Sequence, residues 1–493
     1  MAAPARSQRP PDAGDAARTL KDHSRFLTAV VVVAAAGLWI PQLMSSLWAD
    51  ETVTHWIVKD GIRETIHRSL EFEGESPFYF IVQYGLRHVA GRGELAMRLP
   101  SLLAMIGAAF LLWRLGRRLM DDDQGILGAL VLVATPGITF AAGDARPYPL
   151  AVLGLVASTL LLVRWADDGK SRDGIAYVIL TAAALYMHYF ALTALVVHPL
   201  YVWRRRDRIR PQSYILAVAA IAASMAPVVP HFLALLRRRD TLAINFAVSA
   251  DDYFAVLVPP LLVGSIAFGA LIARRWDSLR ASAPEVGQGT HSLVVGWWVV
   301  PPTLLFLAKR LGSTTLFEPR FFFFALPGLA LASASAVRFL EPDRIRRVVA
   351  VAVAVGALAG FGAKNHSGED WRSVAEVERS LAGPGTTVLL RPNFIEAAQM
   401  DWLTKPDKVD YLLSVLSPYP MRGRIVPIPY DYTPSARAYL EPMIPTLANS
   451  QRFLLINDRG RFRPWLEGRL PGFRSRRIPV GGVVALTVFD KAA

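Results

Sequence analysis

Residues 26–48 read FLTAVVVVAAAGLWIPQLMSSLW and run straight into Ala49-Asp50-Glu51. A stretch this long and apolar matches the ~20 residues needed to cross a bilayer core. It is too long for the hydrophobic core of a cleaved signal peptide. The residues before it are polar and carry Arg6, Arg9, Arg18, Lys21 and Arg25. Positive charge stays on the cytoplasmic side of a span, so residues 1–25 read as a cytoplasmic tail and the span as uncleaved. Its far end delivers Asp50 and Glu51 to the extracytoplasmic surface.

Working outward, the loop 48–97 is the first extracytoplasmic segment. Between 48 and 75 it holds seven acids (Asp50, Glu51, Asp60, Glu64, Glu71, Glu73, Glu75) against Lys59, Arg63 and Arg68. Val53, Ile57, Ile62, Ile66 and Leu70 keep a roughly helical spacing, broken near Gly61, which predicts juxtamembrane helices. Residues 78–90 are apolar but short and interrupted by Gln83, Arg87 and His88, so they read as juxtamembrane too. Further spans are expected at 98–116, 125–142, 149–165, 213–230, 253–273, 292–308, 320–338 and 346–363. The stretch 174–203 reads as two short spans. Only that count keeps Arg204, Arg205, Arg206, Arg208 and Arg210 in the cytoplasm, beside the other Arg-rich loops at 114–118, 274–280 and 338–347. The expected total is eleven.

Hydrophobic residues make up 53% of the 493, too many for an ordinary soluble protein. The net charge of +14 comes from 54 basic against 40 acidic residues. Because the arginines sit mainly at span ends, positive-inside topology explains that charge, and a nucleic-acid groove does not. There is no cysteine, which excludes disulfides, thiol catalysis and a Cys-based metal site. An odd span count leaves 364–493 outside the cytoplasm. There Thr387–Leu390, Phe453–Ile456 and Val483–Leu486 read as strands, and Asp370–Leu381 as a helix, giving a small α/β domain. Gly169-Lys170-Ser171 resembles the end of a phosphate-binding loop, but Arg164 stands where its first glycine belongs, and no GxGxxG motif occurs.

Counted this way, Asp50-Glu51, Glu75-Ser76-Pro77, Asp144-Ala145-Arg146-Pro147-Tyr148, His188-Tyr189 and Glu318-Pro319-Arg320 all surface on one membrane face. Polar groups beside buried spans are costly, and five loops converging on one face read as an active site. The bland alternatives stand beside this. Acids can cap a surface helix, the better account of Glu51 taken alone. Arginines can snorkel to head groups, which serves Arg237, Arg238 and Arg239 as well as a functional role does. His188 can be a satisfied interhelical histidine, and Tyr148 and Tyr189 interface aromatics. Adjacent residues diverge on a helix, so Asp50 and Glu51 cannot face each other as a two-carboxylate dyad, whereas Glu75 can bring a second acid.

Trp48-Ala49-Asp50-Glu51, Glu75-Ser76-Pro77-Phe78-Tyr79 and Met97-Arg98-Leu99-Pro100-Ser101 resemble the start of the GT-C glycosyltransferase superfamily. The branch it looks most like is glycosyltransferase family 39, the dolichyl-phosphate-mannose-protein mannosyltransferases and their bacterial relatives, which include the aminoarabinose lipid A transferase. The likeness extends through Asp144–Tyr148, Tyr186-Met187-His188-Tyr189 and Pro319-Arg320-Phe321-Phe322, covering about residues 26–363. It implies a polytopic α-helical membrane protein with a small C-terminal extracytoplasmic α/β domain. It also implies inverting transfer of a sugar from a polyprenyl-phosphate donor to a hydroxyl of a glycolipid, polysaccharide or protein. Asp50 then corresponds to the base or metal-adjacent carboxylate, with Glu51 and Glu75 as further acidic candidates. Arg146, Tyr148, His188, Tyr189, Lys309, Arg310 and Arg320 are candidates for donor phosphate and sugar binding. Ser76 and His188 stand where lysines are common in the lipid A branch, so head-group recognition does not carry across. A divalent cation such as Mg2+ or Mn2+ on Asp50 or Glu75 suits hard oxygen ligands, although no ligand spacing demonstrates one.

The chemistry agrees: an acceptor hydroxyl needs a base, and a departing phosphate needs arginine forks. The expected location is a bacterial inner membrane. A transporter or flippase of a lipid-linked glycan would place charged or helix-breaking residues near the bilayer midplane, and here they sit at one edge. A scaffold for envelope-glycan assembly is the third reading.

Overall fold

In the computed structural model the described residues are 13–237, 248–258, 286–287, 289–312, 318–337, 343–361, 366–458, 460–480 and 482–492. The chain begins with α1 (Ala13–Leu43) and then lays down three shorter helices, α2 (Ala49–Val58), α3 (Ile62–Phe72) and α4 (Pro77–Ala90). Gly61 separates α2 from α3 with φ +113, a conformation that L side chains rarely adopt, so the break expected there has a steric cause. Next come α5 (Glu94–Leu119), α6 (Asp122–Ala134), α7 (Pro136–Ala142), α8 (Tyr148–Asp168) and α9 (Ser171–Met187).

Among the described residues six helices are long and apolar enough to cross a bilayer: Asp22–Leu43, Glu94–Leu119, Tyr148–Asp168, Pro211–Arg237, Thr290–Gly312 and Pro319–Val337. A seventh candidate is broken. The α6 and α7 axes meet at 73°, because Pro136 lacks the N–H that would continue the helix and pushes Thr135 into an extended conformation. Helix Asp343–Phe361 falls at the span expected at 346–363. After α9, His188 turns extended and the chain returns through Tyr189–Ala191, Leu192–Leu195 and His198–Arg204, so the stretch 174–203 does divide at His188. The expected span at 253–273 falls largely on 259–285, outside the described residues, as do Arg238, Arg239, Arg274, Arg275, Arg280 and Arg338.

Span ends cluster by charge. Arg118 at the end of α5 pairs with Asp167 (2.7 Å) and Asp168 at the end of α8, and Arg205 reaches the same Asp167 at 2.5 Å. His23, Asp123 and Arg346 meet where the apolar span Asp22–Leu43 of α1 begins, beside the N-termini of α6 and helix Asp343–Phe361. Small residues let the spans approach: a Cβ on Gly125 would lie 2.4 Å from the Trp113 carbonyl, so α5 and α6 touch through bare backbone.

The C-terminal domain opens with a helix, Trp371–Leu381, whose N-terminus is capped by Asp370 accepting from the Ser373 N–H at 3.1 Å. Its strands are β1 (Thr387–Leu390), β2 (Arg424–Pro427), β3 (Arg452–Ile456), β4 (Phe473–Ile478) and β5 (Leu486–Lys491), in the order β2-β1-β3-β5-β4. β1 runs parallel to β2 and β3, and β5 is antiparallel to β3 and β4. The strand expected at Val483–Leu486 begins instead at Leu486, paired with Ile456. Gly482 (φ +83) and the Val483 N–H bond to the Gly368 carbonyl tie 482–483 to the domain's entry, and Val483 stays exposed.

This domain is bolted onto the juxtamembrane helices. The Tyr419 hydroxyl accepts the Leu47 N–H at 2.6 Å, Trp56 Nε1 donates to Asp410 at 2.7 Å, and His55 Nδ1 lies 2.8 Å from Ser417 Oγ. Arg372 pairs with Glu94, so Asp370-Trp371-Arg372 is a capping and docking motif.

Candidate active site

Between the juxtamembrane helices and the C-terminal domain lies a cavity of about 770 Å³. Asp50, Glu75, Arg146, Tyr148, His188, Tyr189 and Arg320 all line it, although they come from five separate stretches of sequence. Phe232, Leu235, Leu236, Ala308 and Leu311 supply an apolar wall. Asn393, Phe394, Ile395, Glu396 and Tyr411 close it from the C-terminal domain.

Glu51 explains how the loop between α7 and α8 is placed. It is fully buried and turned away from the cavity. Its Oε1 accepts from Arg98 Nε (2.7 Å) and the Ala145 N–H (2.8 Å); its Oε2 accepts from Arg98 and the Trp48 N–H (3.2 Å). Burial alone would lift its pKa, but the Arg98 charge and its hydrogen bonds hold the carboxylate below its ordinary range. Trp48 Nε1 donates to Asp144 at 3.0 Å, a second tie to the same loop. Glu51, expected among the catalytic acids, is therefore a structural anchor that presents Arg146, because all its lone pairs are engaged.

Arg146 is the centre of the polar wall. Nη2 lies 3.1 Å from Glu73 Oε2 and 3.0 Å from Glu75 Oε1, and Nη1 donates to Glu73 Oε1 at 3.3 Å. Glu73 leaves α3 in extended backbone, and a period of two puts residues 73 and 75 on one side. That Glu-Gly-Glu spacing was the readable sign of Glu73, which sequence reasoning passed over. Arg320 Nη1 donates to Asp50 Oδ2 at 2.6 Å. His188 Nδ1 accepts the Phe190 N–H at 3.2 Å, so the ring proton sits on Nε2, 3.9 Å from Glu75 Oε1. Four buried polar atoms on this wall have no hydrogen-bond partner: Glu75 Oε2, His188 Nε2, Arg146 Nε and Arg320 Nε. Burial, helped by the neighbouring Glu73 and Asp50 charges, raises the Glu75 pKa to about 7 against the pull of Arg146 and Arg320.

Lys309 and Arg310 do not reach the site. They lie in the last turn of Thr290–Gly312, where Ala308 and Leu311 line the cavity; Arg310 is exposed and stacks over the Phe306 ring at 5.4 Å. Helical spacing separates the two faces. Arg237 is likewise exposed, one residue beyond the cavity-lining Leu236.

The residues proposed for a metal do not fit one as arranged, because arginine guanidiniums already face both carboxylates. Among the described residues the one three-ligand group is Glu51, Asp144 and His366, all buried and off the cavity wall. A cation there would have to displace Arg98 from Glu51.

Residues 75–233 match the family model described as dolichyl-phosphate-mannose-protein mannosyltransferase, PMT_2. No curated protein matches the sequence at a significant level. The fold is similar to that of ArnT from Cupriavidus metallidurans in the apo state, with TM-score 0.56 and 13% identity over 93% of this chain and 97% of that one. The ArnT structure bound to undecaprenyl phosphate gives 0.53, 14%, 93% and 97%. Arabinofuranosyltransferase AftD from Mycobacteria gives 0.51 and 14% over 95% of this chain, which spans 42% of AftD. The chain is thus similar in fold to ArnT along nearly its whole length, and its residues 75–233 match the PMT_2 family model.

Proposed function

We propose that this protein is an integral membrane glycosyltransferase that moves a sugar from a polyprenyl-phosphate donor to an acceptor hydroxyl on the extracytoplasmic face, with inversion. The observation that carries the reading is the pairing of two acids, Asp50 and Glu75, with two arginines, Arg320 and Arg146, inside a cavity that continues into an apolar wall. The ArnT likeness supports it, since one structure of that protein holds undecaprenyl phosphate.

The Arg320–Asp50 ion pair suggests the order of events. A donor phosphate is the stronger partner for an arginine fork, so its arrival draws Arg320 away and leaves Asp50 free as a base. The acceptor oxygen then attacks the anomeric carbon, its proton passes to Asp50, and the bond from that carbon to the phosphate oxygen breaks. The polyprenyl phosphate leaves with its charge held by Arg320 and Arg146, and a single displacement inverts the centre. Glu75, poised near neutrality with one free oxygen, hydrogen-bonds a substrate hydroxyl.

The test is product analysis of membranes by mass spectrometry, comparing cells with the wild-type chain and with Asp50→Asn. A glycan lacking one sugar in the variant names both sugar and acceptor. Identical glycans would rule the reading out, and favour a scaffold that tolerates the change.

A further inference from the structure

We infer that Asn393, supplied by the C-terminal domain, reads hydroxyl groups of the donor's sugar; the inference rests on the lipid-linked donor proposed above. Asn393 lies just beyond β1, on the cavity wall. Its amide is held from both sides. Nδ2 donates to Glu369 Oε1 at 2.9 Å, and Oδ1 accepts from Asn457 Nδ2 at 2.7 Å. Asn457 cannot be turned round, because the same NH2 group also donates to the Arg391 carbonyl at 2.9 Å. The amide of Asn393 is therefore fixed in direction. A primary amide has two N–H donors and two lone pairs, so one of each remains for a ligand. One fixed donor beside one fixed acceptor matches vicinal hydroxyls of a sugar.

The clamp also reaches the reacting end. Glu369 Oε2 accepts the N–H of Ala49, the residue before Asp50, at 3.0 Å, and Trp371 Nε1 at 2.7 Å. Asn393 and Ala49, the neighbour of Asp50, are thus held by the two oxygens of one carboxylate. The donor's sugar is bonded to its phosphate, so a phosphate held by Arg320 keeps that ring in the cavity Asn393 lines. Phe72, Phe394 and Tyr411 line the same end, and Tyr411 packs 5.2 Å from Phe72 and 5.0 Å from Phe394. Aromatic surface beside a fixed amide suits a ring with an apolar face and a hydroxylated edge.

The experiment measures binding by the full chain in detergent. The probes are bare undecaprenyl phosphate and undecaprenyl phosphate carrying mannose, glucose, galactose or arabinose. The wild-type chain should bind at least one glycosylated lipid more tightly than the bare one. Asn393→Leu and Asn393→Ala should weaken that lipid by about tenfold, the loss of one or two neutral hydrogen bonds, and leave the bare lipid within about twofold. The bare lipid doubles as the control for folding. Equal weakening of both lipids, no weakening, or a wild-type chain that binds no sugar better than the bare lipid overturns the inference while leaving the polyprenyl-phosphate site intact. A wild-type chain that binds neither lipid overturns the donor reading itself, and this inference with it.

Discussion

Asp50 and Glu51 are neighbours of the same chemical type with opposite surroundings, and the difference lies in which way a helix turns. Asp50 faces the cavity and Arg320, whereas Glu51 is sealed against Arg98. Their substitutions should separate accordingly. Asp50→Asn should cut sugar transfer by about 10²–10⁴-fold with an unchanged unfolding midpoint. Glu51→Gln leaves a buried guanidinium without its counter-charge, and should cost about 3–5 kcal/mol of stability, read as a lowered midpoint in detergent. Glu75 gives a pH signature. Its pKa rises from 4.5 to about 7 in the folded chain, so the folded state holds a proton that the unfolded chain gives up. Stability from this group is complete below pH 4.5 and is lost as pH rises through 7. Glu75→Gln keeps the neutral form at every pH, so its unfolding midpoint should be flatter than wild type between pH 4.5 and 7. A midpoint that changes identically in both chains would mean Glu75 ionises normally. At this scale, the loop residues that face the cavity were readable from their clustering on one membrane face. Arg98 was not, because its role exists only where α5 crosses the end of α1, and there it donates to the Ser45 carbonyl at 2.5 Å. Asn393 was not either, since nothing in an isolated Arg-Pro-Asn-Phe stretch signals that Glu369 and Asn457 will grip it.

At the scale of elements, apolar length and arginine placement were enough to locate most spans, because a bilayer imposes both. The bend between α6 and α7 was hidden inside an apolar run, and Pro136 was its sign. The strands were legible as apolar patches, but β5 slipped by several residues because register is decided by pairing with β3 and by the turn at Gly482. Lys309 and Arg310 show the opposite limit: being at the right end of a helix does not give the right face. The α5–α6 contact makes a prediction of its own. Gly125→Ala places a methyl group against the Trp113 carbonyl and the Arg117 backbone nitrogen, neither of which can yield as a side chain does. The two helices must separate, which should cost about 1–3 kcal/mol. A variant with the wild-type unfolding midpoint would mean that this pair is not closely packed.

For the molecule as a whole, charge divides the bundle into two ends. Arg118, Arg205 and Arg346 are paired with acids at the span termini, while the cavity and the C-terminal domain gather at the termini of α2, α5 and α8 that carry Asp50, Glu94 and Tyr148. Helix α5 joins the two groups: it begins at Glu94, which holds Arg372 of the C-terminal domain, and ends at Arg118. A helix of 26 residues rising ~1.5 Å each is about 39 Å long, enough to cross a hydrocarbon core of about 30 Å. We propose that the two ends lie on opposite sides of the membrane, with the arginine-rich end in the cytoplasm as the positive-inside rule predicts. The natural absence of cysteine makes this directly measurable. Arg92→Cys, exposed just before α5, should react with a membrane-impermeant maleimide in intact cells. Lys170→Cys, exposed between α8 and α9, should react only after the membrane is opened. The reverse pattern would put the cavity in the cytoplasm, where the C-terminal domain could not close over an extracytoplasmic donor. Labelling of both positions from outside would break the two-ended bundle itself, since α5 would no longer separate them.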